Sequence, residues 1–570
     1  MASYDRRTFL SNGLKTGAAL GAAGVGGTLL GACGSSGGNP PLSTLGTQAA
    51  HKVGISTTKP KMGGSVTFGT EAEETGVDPT NAHFDSTGVL YARCVYDPLA
   101  IILQDGSVAP YLAESITPNS SYTKWQIKVR PNVLFHDGTP CDGAAVTYCM
   151  REFIKSALTN FAFTDYVSTK DPTKSAVQVD KYTCQINMEQ RWVPFPYWLA
   201  GYIGGQIAYM FSPKQFEKGE AVLNLHPIGT GPFMLQQWTT GTHFQCVRNP
   251  HYWRKDKWGQ RLPYLDSFTY KPIPDVSSRY SALESGTIDI MHTDDDRTIQ
   301  QIGANKSLVA LGDNEVPVGE PDVTMAMVRC NDKVMKDLRL RKALAYGTNQ
   351  AAANQVIGRG ITHPTNGPFP APSPYASDTG YPSYDPVKAR SYIQSWMRDN
   401  GGQKPTIHYT TTDTPISKTN ATFFQQMWEG VGFNVIVGQV EQAALINDAI
   451  AGSFQIFAWR QFGSVDPDLN YVFWAKTAGI VNFAQNEDNV IQAKLDEARQ
   501  TADQSVRVAA YQEVAKRFAA DLPYIWFGRD VWYVASAKHV QNWNGGHSPA
   551  GQLSVSMLSG IVWPTEMWIS

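Results

Sequence analysis

The hydrophobic and polar positions of this chain follow two different periods, which predicts a mixture of strands and helices. Residues 125–130 alternate apolar and polar side chains, as a half-buried strand does. Further strands are predicted at residues 64–69, 176–188, 233–247, 267–272, 407–411 and 435–440. Helical spacing predicts helices at residues 142–158, 279–284, 338–357, 419–430, 441–451 and 489–520. Because strands and helices alternate along the chain, we predict an α/β fold with mostly parallel sheets.

Two proline-bearing segments divide this pattern, at residues 316–321 and at residues 521–523. Proline restricts the backbone and ends regular elements, so both segments are candidates for crossings between lobes. If both join the same two lobes, the C-terminal segment returns to the first lobe and the two crossings form a hinge.

The N-terminus has the features of an export signal. Arg6 and Arg7 precede an uncharged, glycine-rich run at residues 16–32, which resembles a twin-arginine signal. The run ends Leu-Gly-Ala before Cys33, which resembles a bacterial lipobox whose cysteine receives a lipid after cleavage. We therefore predict a signal peptide at residues 1–32 and lipidation of Cys33. The alternative is a plain N-terminal membrane anchor with an incidental cysteine.

Composition narrows the class of protein and the compartment. The 570 residues carry 48 basic and 50 acidic side chains, a net charge of -2, so no electrostatic footprint for nucleic acid is present. Residues 33–60 are rich in glycine, serine, proline and threonine, which predicts a flexible tether. Besides Cys33 the chain has six cysteines, which outside the cytoplasm could form three disulfides of unknown connectivity. They are Cys94, Cys141, Cys149, Cys184, Cys246 and Cys330.

No motif for catalysis, metal binding or a cofactor is found, and none of these is predicted. His136 lies beside a turn, and we interpret it as a structural hydrogen-bonding group. The acidic run Asp294, Asp295 and Asp296 lacks the spacing of a calcium loop, so we interpret it as a solvated turn. Trp192, Tyr197 and Trp198 cluster in sequence, and core packing is favoured over ligand binding for them.

Several motifs, collinear over most of the chain, resemble the family-5 extracellular solute-binding proteins of ABC importers. The motifs are Tyr96-Asp-Pro-Leu99, Phe135-His-Asp-Gly-Thr-Pro140, Pro227-Ile-Gly-Thr-Gly-Pro-Phe233, Arg248-Asn-Pro-His-Tyr-Trp253, Ala282-Leu-Glu-Ser-Gly-Thr-Ile-Asp289, Asp337-Leu-Arg-Leu-Arg-Lys-Ala-Leu344 and Asp466-Pro467. The resemblance implies a two-lobed, periplasmic-binding-protein-like α/β fold with an inserted third subdomain in the first lobe. It assigns residues 61–100, 226–318 and 525–570 to lobe one, residues 101–225 to the subdomain and residues 319–524 to lobe two.

The resemblance also implies where a ligand binds. Peptide-binding members hold the ligand's α-ammonium with a carboxylate three residues before an acidic-residue–proline pair, but that position here is Gly463. The segments that correspond to the cleft supply the expected ligand-binding residues, which are His83, Phe84, Asp85, Trp459, Arg460, Gln461, Phe462 and Asp466. Flat aromatic rings beside hydrogen-bonding groups suit a sugar or an amphiphilic solute as well as a peptide.

The function that the resemblance implies is capture of a peptide or another small polar solute outside the cytoplasm. The receptor would be a monomer, anchored by lipid to the bacterial cell membrane, and would deliver its ligand to an ABC permease and ATPase complex without catalysis. Within the same family the alternative is a saccharide or glycoside receptor. From other classes, a secreted hydrolase and a surface sensor or chaperone remain open.

Overall fold

The computed structural model describes residues 56–82, 84–202, 205–315, 320–555 and 557–570. The predicted signal peptide, Cys33, most of the predicted tether and His83 lie outside the described residues. Among the described helices, none has both the length and the apolar character that a membrane span requires.

The strands and helices alternate along the chain as the sequence pattern predicts. In chain order the strands are β1 Ser65–Thr70, β2 Ala100–Ile102, β3 Val108–Pro110, β4 Ala113–Pro118, β5 Lys124–Val129, β6 Ala176–Asp180, β7 Thr183–Asn187, β8 Phe233–Thr239, β9 His243–Arg248, β10 Ser267–Pro272, β11 Ile290–Thr293, β12 Leu308–Gly312, β13 Val323–Val328, β14 Thr406–Thr412, β15 Asn434–Val440, β16 Ile456–Gln461, β17 Tyr524–Arg529, β18 Tyr533–Ala537, β19 Val540–Gln541 and β20 Trp568–Ile569. The α-helices are α1 Ser86–Val95, α2 Gly143–Lys155, α3 Pro172–Ser175, α4 Phe195–Trp198, α5 Pro213–Phe216, α6 Glu220–Leu225, α7 Val276–Glu284, α8 Asp296–Ala304, α9 Leu338–Gly347, α10 Gln350–Val356, α11 Pro386–Asp399, α12 Pro415–Val431, α13 Gln442–Ala451, α14 Tyr471–Trp474, α15 Asn489–Gln500 and α16 Gln504–Asp521.

Two large sheets form the framework. A seven-stranded sheet has the order β12-β18-β11-β1-β10-β9-β8, and a five-stranded sheet has the order β15-β14-β16-β13-β17. In the first, β1 is parallel to β10 and β11, and the other pairs are antiparallel. In the second, β14 is parallel to β15 and β16, while β13 runs antiparallel to β16 and β17. The prediction of mostly parallel sheets is therefore wrong, because hairpins and returning strands complete both sheets.

Local turns explain where predicted elements divide. The strand predicted at residues 233–247 is the hairpin β8–β9, which turns through Gly241 at a φ of +72°. The helix predicted at residues 338–357 is two helices, because the Asn349 side chain accepts from the Ala352 amide and caps α10. Asp503 caps α16 in the same way and separates it from α15.

The chain passes between the two large sheets twice. The first passage lies between β12 and β13, at residues 313–322, of which residues 316–319 lie outside the description. The second lies at residues 530–532, because β17 still pairs with β13 in the five-stranded sheet and β18 already pairs with β11 in the other. The crossing predicted at residues 521–523 is therefore wrong: this segment ends α16 and starts β17 within one sheet.

A smaller antiparallel sheet, β4-β5-β7-β6, lies within residues 101–225, and α2 packs on it. Asp142 caps α2 by accepting from the Ala144 and Ala145 amides at 3.0 and 3.1 Å. His136 bonds the Gly231 carbonyl at 3.0 Å, and burial lowers its pKa to about 4, so the structural interpretation of this histidine is confirmed.

The six cysteines of the described residues are all free thiols, so the possibility of three disulfides is not realised. Five of them are buried, where cysteine behaves as a small apolar side chain. Burial also raises the pKa of Cys330 to about 12 and that of Cys184 to about 11, which keeps both thiols protonated.

Candidate functional site

A cavity of about 460 Å³ is lined by residues of both large sheets. Glu71 follows β1 and Asp294 follows β11, two neighbouring strands of the seven-stranded sheet. Trp459 and Arg460 lie on β16, and Asp530 follows β17, both in the five-stranded sheet. The cavity therefore forms where the strand ends of one sheet face the other sheet, as ligand sites of two-lobed α/β proteins do.

The lining divides into an aromatic part and a charged part. The aromatic residues are Phe84, Phe161, Tyr409, Phe424, Trp459, Phe462, Phe473, Phe483 and Phe527. The charged residues are Glu71, Asp85, Arg279, Asp294, Asp295, Asp296, Arg460 and Asp530. Six carboxylates thus face two guanidinium groups, so the charged part of the lining is acidic.

Trp459 and Phe462 line the cavity as the sequence predicts. The Trp459 ring packs edge-on against Phe483 with centroids 5.5 Å apart, and Phe473 lies 5.9 Å from Phe483. Phe84, which precedes α1, also lines the cavity. These rings offer an apolar surface to a bound solute.

Arg460 is the centre of an ion-pair network that joins the two sheets. One terminal nitrogen donates to Asp294 Oδ2, and the other donates to Glu71 Oε1 at 3.1 Å. Its Nε lies 3.8 Å from Asp322 Oδ2, and the guanidinium lies 4.6 Å from the centre of the Trp532 ring. The positive charge of Arg460 is therefore compensated by carboxylates of the protein itself.

Burial sets the titration of this network. Burial raises the pKa of Glu71 to about 7, against the lowering effect of Arg460 and with a further rise from Asp294. Burial lowers the pKa of Arg460, but the charges of Glu71, Asp294 and Asp322 outweigh it and raise the pKa overall. The guanidinium therefore stays charged and holds the two sheets together across the cavity.

Asp85 lines the cavity, but both of its oxygens already have partners. Oδ1 accepts from the Thr87 and Gly88 amides at 2.7 and 3.0 Å and caps α1. Oδ2 accepts from Gln442 at the start of α13. Besides the ion pairs of Arg460, the bond between Asp85 and Gln442 is therefore a second contact between segments that flank the cavity.

Gln461 and Asp466 do not line the cavity. Gln461 is buried, and neither its Nε2 nor its Oε1 has a described partner. Both oxygens of Asp466 accept from Arg507 Nη2, at 2.5 and 2.7 Å, and Oδ1 also accepts from the Asp468 amide. The geometry gives Asp466 a structural role in starting the turn that follows, and it offers no support for ligand contact by either residue.

The backbone around Gly463 explains why a carboxylate is missing there. A Cβ at this position would lie 2.6 Å from the Glu320 carbonyl oxygen and 2.8 Å from Asp322 Oδ1. The Gly463 amide also donates to Asp322. An acidic side chain at this position would therefore meet both a steric clash and a like charge.

The sequence interpretation missed the acidic side of the cavity. Asp294 pairs with Arg460, and Asp296 is 6% exposed, so the prediction of a solvated turn is wrong. Nothing in the sequence marked Glu71 or Asp530 as a site residue. Glu71 follows a predicted strand, and Asp530 follows a strand that only the structure shows. Trp192 and Trp198, in contrast, are fully buried away from the cavity, which confirms the core interpretation.

Two sheets that share a cavity and are joined by two chain passages define a two-lobed binding protein. Comparison with known proteins then identifies the family. The model for bacterial extracellular solute-binding proteins, family 5, matches residues 107–482. The chain belongs to this family.

Relatives of known ligand differ in what they bind. The chain is 24% identical over 478 residues to the nickel-binding periplasmic protein of Escherichia coli K12, covering 80% of this chain and 88% of that one. It is 27% identical over 465 residues to the glutathione-binding protein GsiB of Salmonella paratyphi A, covering 79% and 86%.

Solved structures share the fold. The PBP AgaA of A. tumefaciens R10, in complex with agropinic acid, superposes with a TM-score of 0.76 at 20% identity, covering 89% of this chain and 99% of that one. The oligopeptide-binding protein AppA of Bacillus subtilis, in complex with a nonapeptide, gives 0.75 at 18% identity, covering 90% and 100%. The two-lobed α/β fold is thereby confirmed.

Proposed function

We propose that this chain is the solute receptor of an ABC importer, which captures a peptide or another small polar solute between its lobes and delivers it to a permease and ATPase complex. The observation that carries the proposal is the cavity lined by both sheets, with Arg460 joined to carboxylates of the opposite sheet. A solute bound there contacts both lobes at once, so it stabilises the closed arrangement. The two relatives compared above, which cover about four fifths of this chain, are binding proteins, and this supports a role without catalysis.

The test is purification of the protein followed by mass spectrometry of the solute that it retains. A screen of peptides, saccharides and glycosides then measures thermal stability, which a true ligand raises by mass action. We expect the retained solute to raise the melting temperature and to remain chemically unchanged after incubation. A protein that retains no solute and responds to no compound contradicts the proposal, and turnover of the ligand would indicate an enzyme.

We further propose that the receptor is a lipoprotein exported by the twin-arginine route and attached to the cell membrane through Cys33. The order of the paired arginines, the glycine-rich run and the small residues before Cys33 supports this proposal. Cys33→Ser is expected to release the protein from the membrane fraction, and Arg6→Lys with Arg7→Lys to retain it in the cytoplasm. Membrane attachment that is unchanged in Cys33→Ser would favour a plain N-terminal anchor.

A further inference from the structure

Two carboxylates of the cavity have no cationic partner. Asp296, the first residue of α8, and Asp530, which follows β17, are 6% and 5% exposed. Neither forms an ion pair with any residue that the structure describes. Asp296 Oδ1 is buried without a hydrogen-bond partner in the described part of the chain, and Asp530 Oδ1 accepts only a long bond of 3.3 Å from the Val531 amide.

Neighbouring cations lower the pKa of these two groups without forming an ion pair with them: Arg359 acts on Asp296 and Arg460 acts on Asp530. Arg460 already bonds Glu71 and Asp294 and pairs with Asp322. Arg279 donates to the backbone carbonyls of Ile273, Pro274 and His292 rather than to a carboxylate. Burial and the nearby acids raise the pKa of Asp296 to about 8, with Asp294 and Asp295 as the like charges. The cavity therefore holds an excess of buried acid.

Buried carboxylates are tolerated when they are paired with a cation. Asp296 follows β11 of the seven-stranded sheet and Asp530 follows β17 of the five-stranded sheet, so a cation held between them would contact segments from both sides of the cavity. The rest of the lining, with Trp459, Phe473 and Phe483, accepts an apolar body. A carboxylate on the ligand would meet repulsion from six acids, while of the two guanidinium groups in the lining Arg460 is already paired and Arg279 is held by backbone carbonyls.

We propose that Asp296 and Asp530 bind the cationic group of the ligand, and that the receptor selects organic cations with an apolar body over anionic solutes. This inference rests on the proposed function, and it names the chemical class that this cavity takes. It assigns the ligand's charge to Asp296 and Asp530 rather than to residue 463, where the family's peptide receptors carry their carboxylate and this chain has glycine.

The test uses three probes with one apolar body and different charge: Leu-Phe amide, Leu-Phe and N-acetyl-Leu-Phe, with nickel(II) alone as a fourth. Calorimetry and thermal stability of the full-length protein are measured with each. We expect the cationic amide to bind best, and the anionic N-acetyl peptide to bind at least about tenfold more weakly, the usual scale of a hydrogen bond to a charged group. Equal or tighter binding of N-acetyl-Leu-Phe, a response to nickel(II) alone, or no response to the amide overturns the inference.

Two variants localise the effect. Asp296→Asn and Asp530→Asn are each expected to weaken binding of the amide about 10- to 100-fold. Asp313→Asn is the matched control, because Asp313 is also a buried acid, its pKa is also raised to about 8, and it does not line the cavity. Unchanged affinity in both cavity variants overturns the inference. If another solute from the broad screen binds while the amide does not, the receptor function stands and only this inference falls.

Discussion

The contact between residues 192–198 and helix α15 provides the sharpest test of the packing. Arg499, on α15, is fully buried, and its Nε donates to Asp468 Oδ1 at 2.8 Å. Asp468 Oδ2 accepts from the indole nitrogens of Trp192 and Trp198 at 3.0 and 2.7 Å. The terminal nitrogens of Arg499 have no hydrogen-bond partner in the described chain, and the guanidinium lies 3.6 Å from the centre of the Tyr471 ring.

Arg499→Met removes the cation and leaves the Asp468 carboxylate buried with only two indole donors. Removal of one partner of a buried pair costs about 3–5 kcal/mol, because the remaining charge is uncompensated. The entropy of unfolding is about 2 cal/mol/K per residue, so in a chain of 570 residues this loss lowers Tm by about 3–4 °C. Asp468→Asn combined with Arg499→Met removes both charges and keeps an acceptor for the indoles, so the double variant is expected to be more stable than Arg499→Met alone.

Differential scanning calorimetry of the four proteins of this cycle measures the coupling. Arg517→Met is the matched control: Arg517 pairs with Asp488 but is 40% exposed, and an exposed pair contributes about 0–1 kcal/mol. Equal effects of Arg499→Met and Arg517→Met, or strict additivity in the double variant, would refute the reasoning that burial of the charge sets the cost.

Three further predictions concern titration, packing and thiols. Burial raises the pKa of Glu320 to about 8, so the native state keeps a proton that the unfolded chain releases. The contribution of Glu320 to the free energy of unfolding is full below about pH 4, falls by at most about 1.4 kcal/mol per pH unit as the pH rises, and is lost near pH 8. Glu320→Gln is expected to remove this dependence of the unfolding free energy on pH, which urea unfolding measures. Equal slopes in the variant and the wild type would contradict the assignment. Gly463→Asp is expected to lower stability by about 1–3 kcal/mol without improving peptide binding, and a gain in affinity with unchanged Tm would contradict the clash with Glu320. Alkylation of the unfolded, unreduced protein is expected to label the six described cysteines, and any fewer would indicate a disulfide.

Much of the fold was accessible from local patterns. Period-two alternation located β5, and helical spacing located α2, because one face of each element is buried and the other is exposed. The pattern was less informative for strands such as β16, where the buried and half-buried positions do not alternate. Strand direction was also missed, since pairing depends on distant segments rather than on the period of a single strand.

In the candidate site, too, local motifs were informative and contacts between distant segments were not. Three of the predicted ligand-binding residues before Asp466 line the cavity, namely Trp459, Arg460 and Phe462, and their contact with a ligand stays a prediction. The motif gave no indication that Arg460 is neutralised by Glu71. It also gave Asp466 the character of a ligand residue, whereas its oxygens are held by a distant helix through Arg507, a contact separated by 41 positions in sequence.

The sequence alone thus determined the family, the alternation of strands and helices and the aromatic segment beside the cleft, because these depend on local motifs and on burial periodicity. Only the tertiary structure decided the charge of the cavity. Most of its acids follow β1, β11 and β17, three strands that are far apart along the chain and are brought together by the order of the sheets. Whether a carboxylate is paired, and how far burial raises its pKa, depends on neighbours in space, so the excess of unpaired acid at Asp296 and Asp530 emerges only when the lobes are assembled.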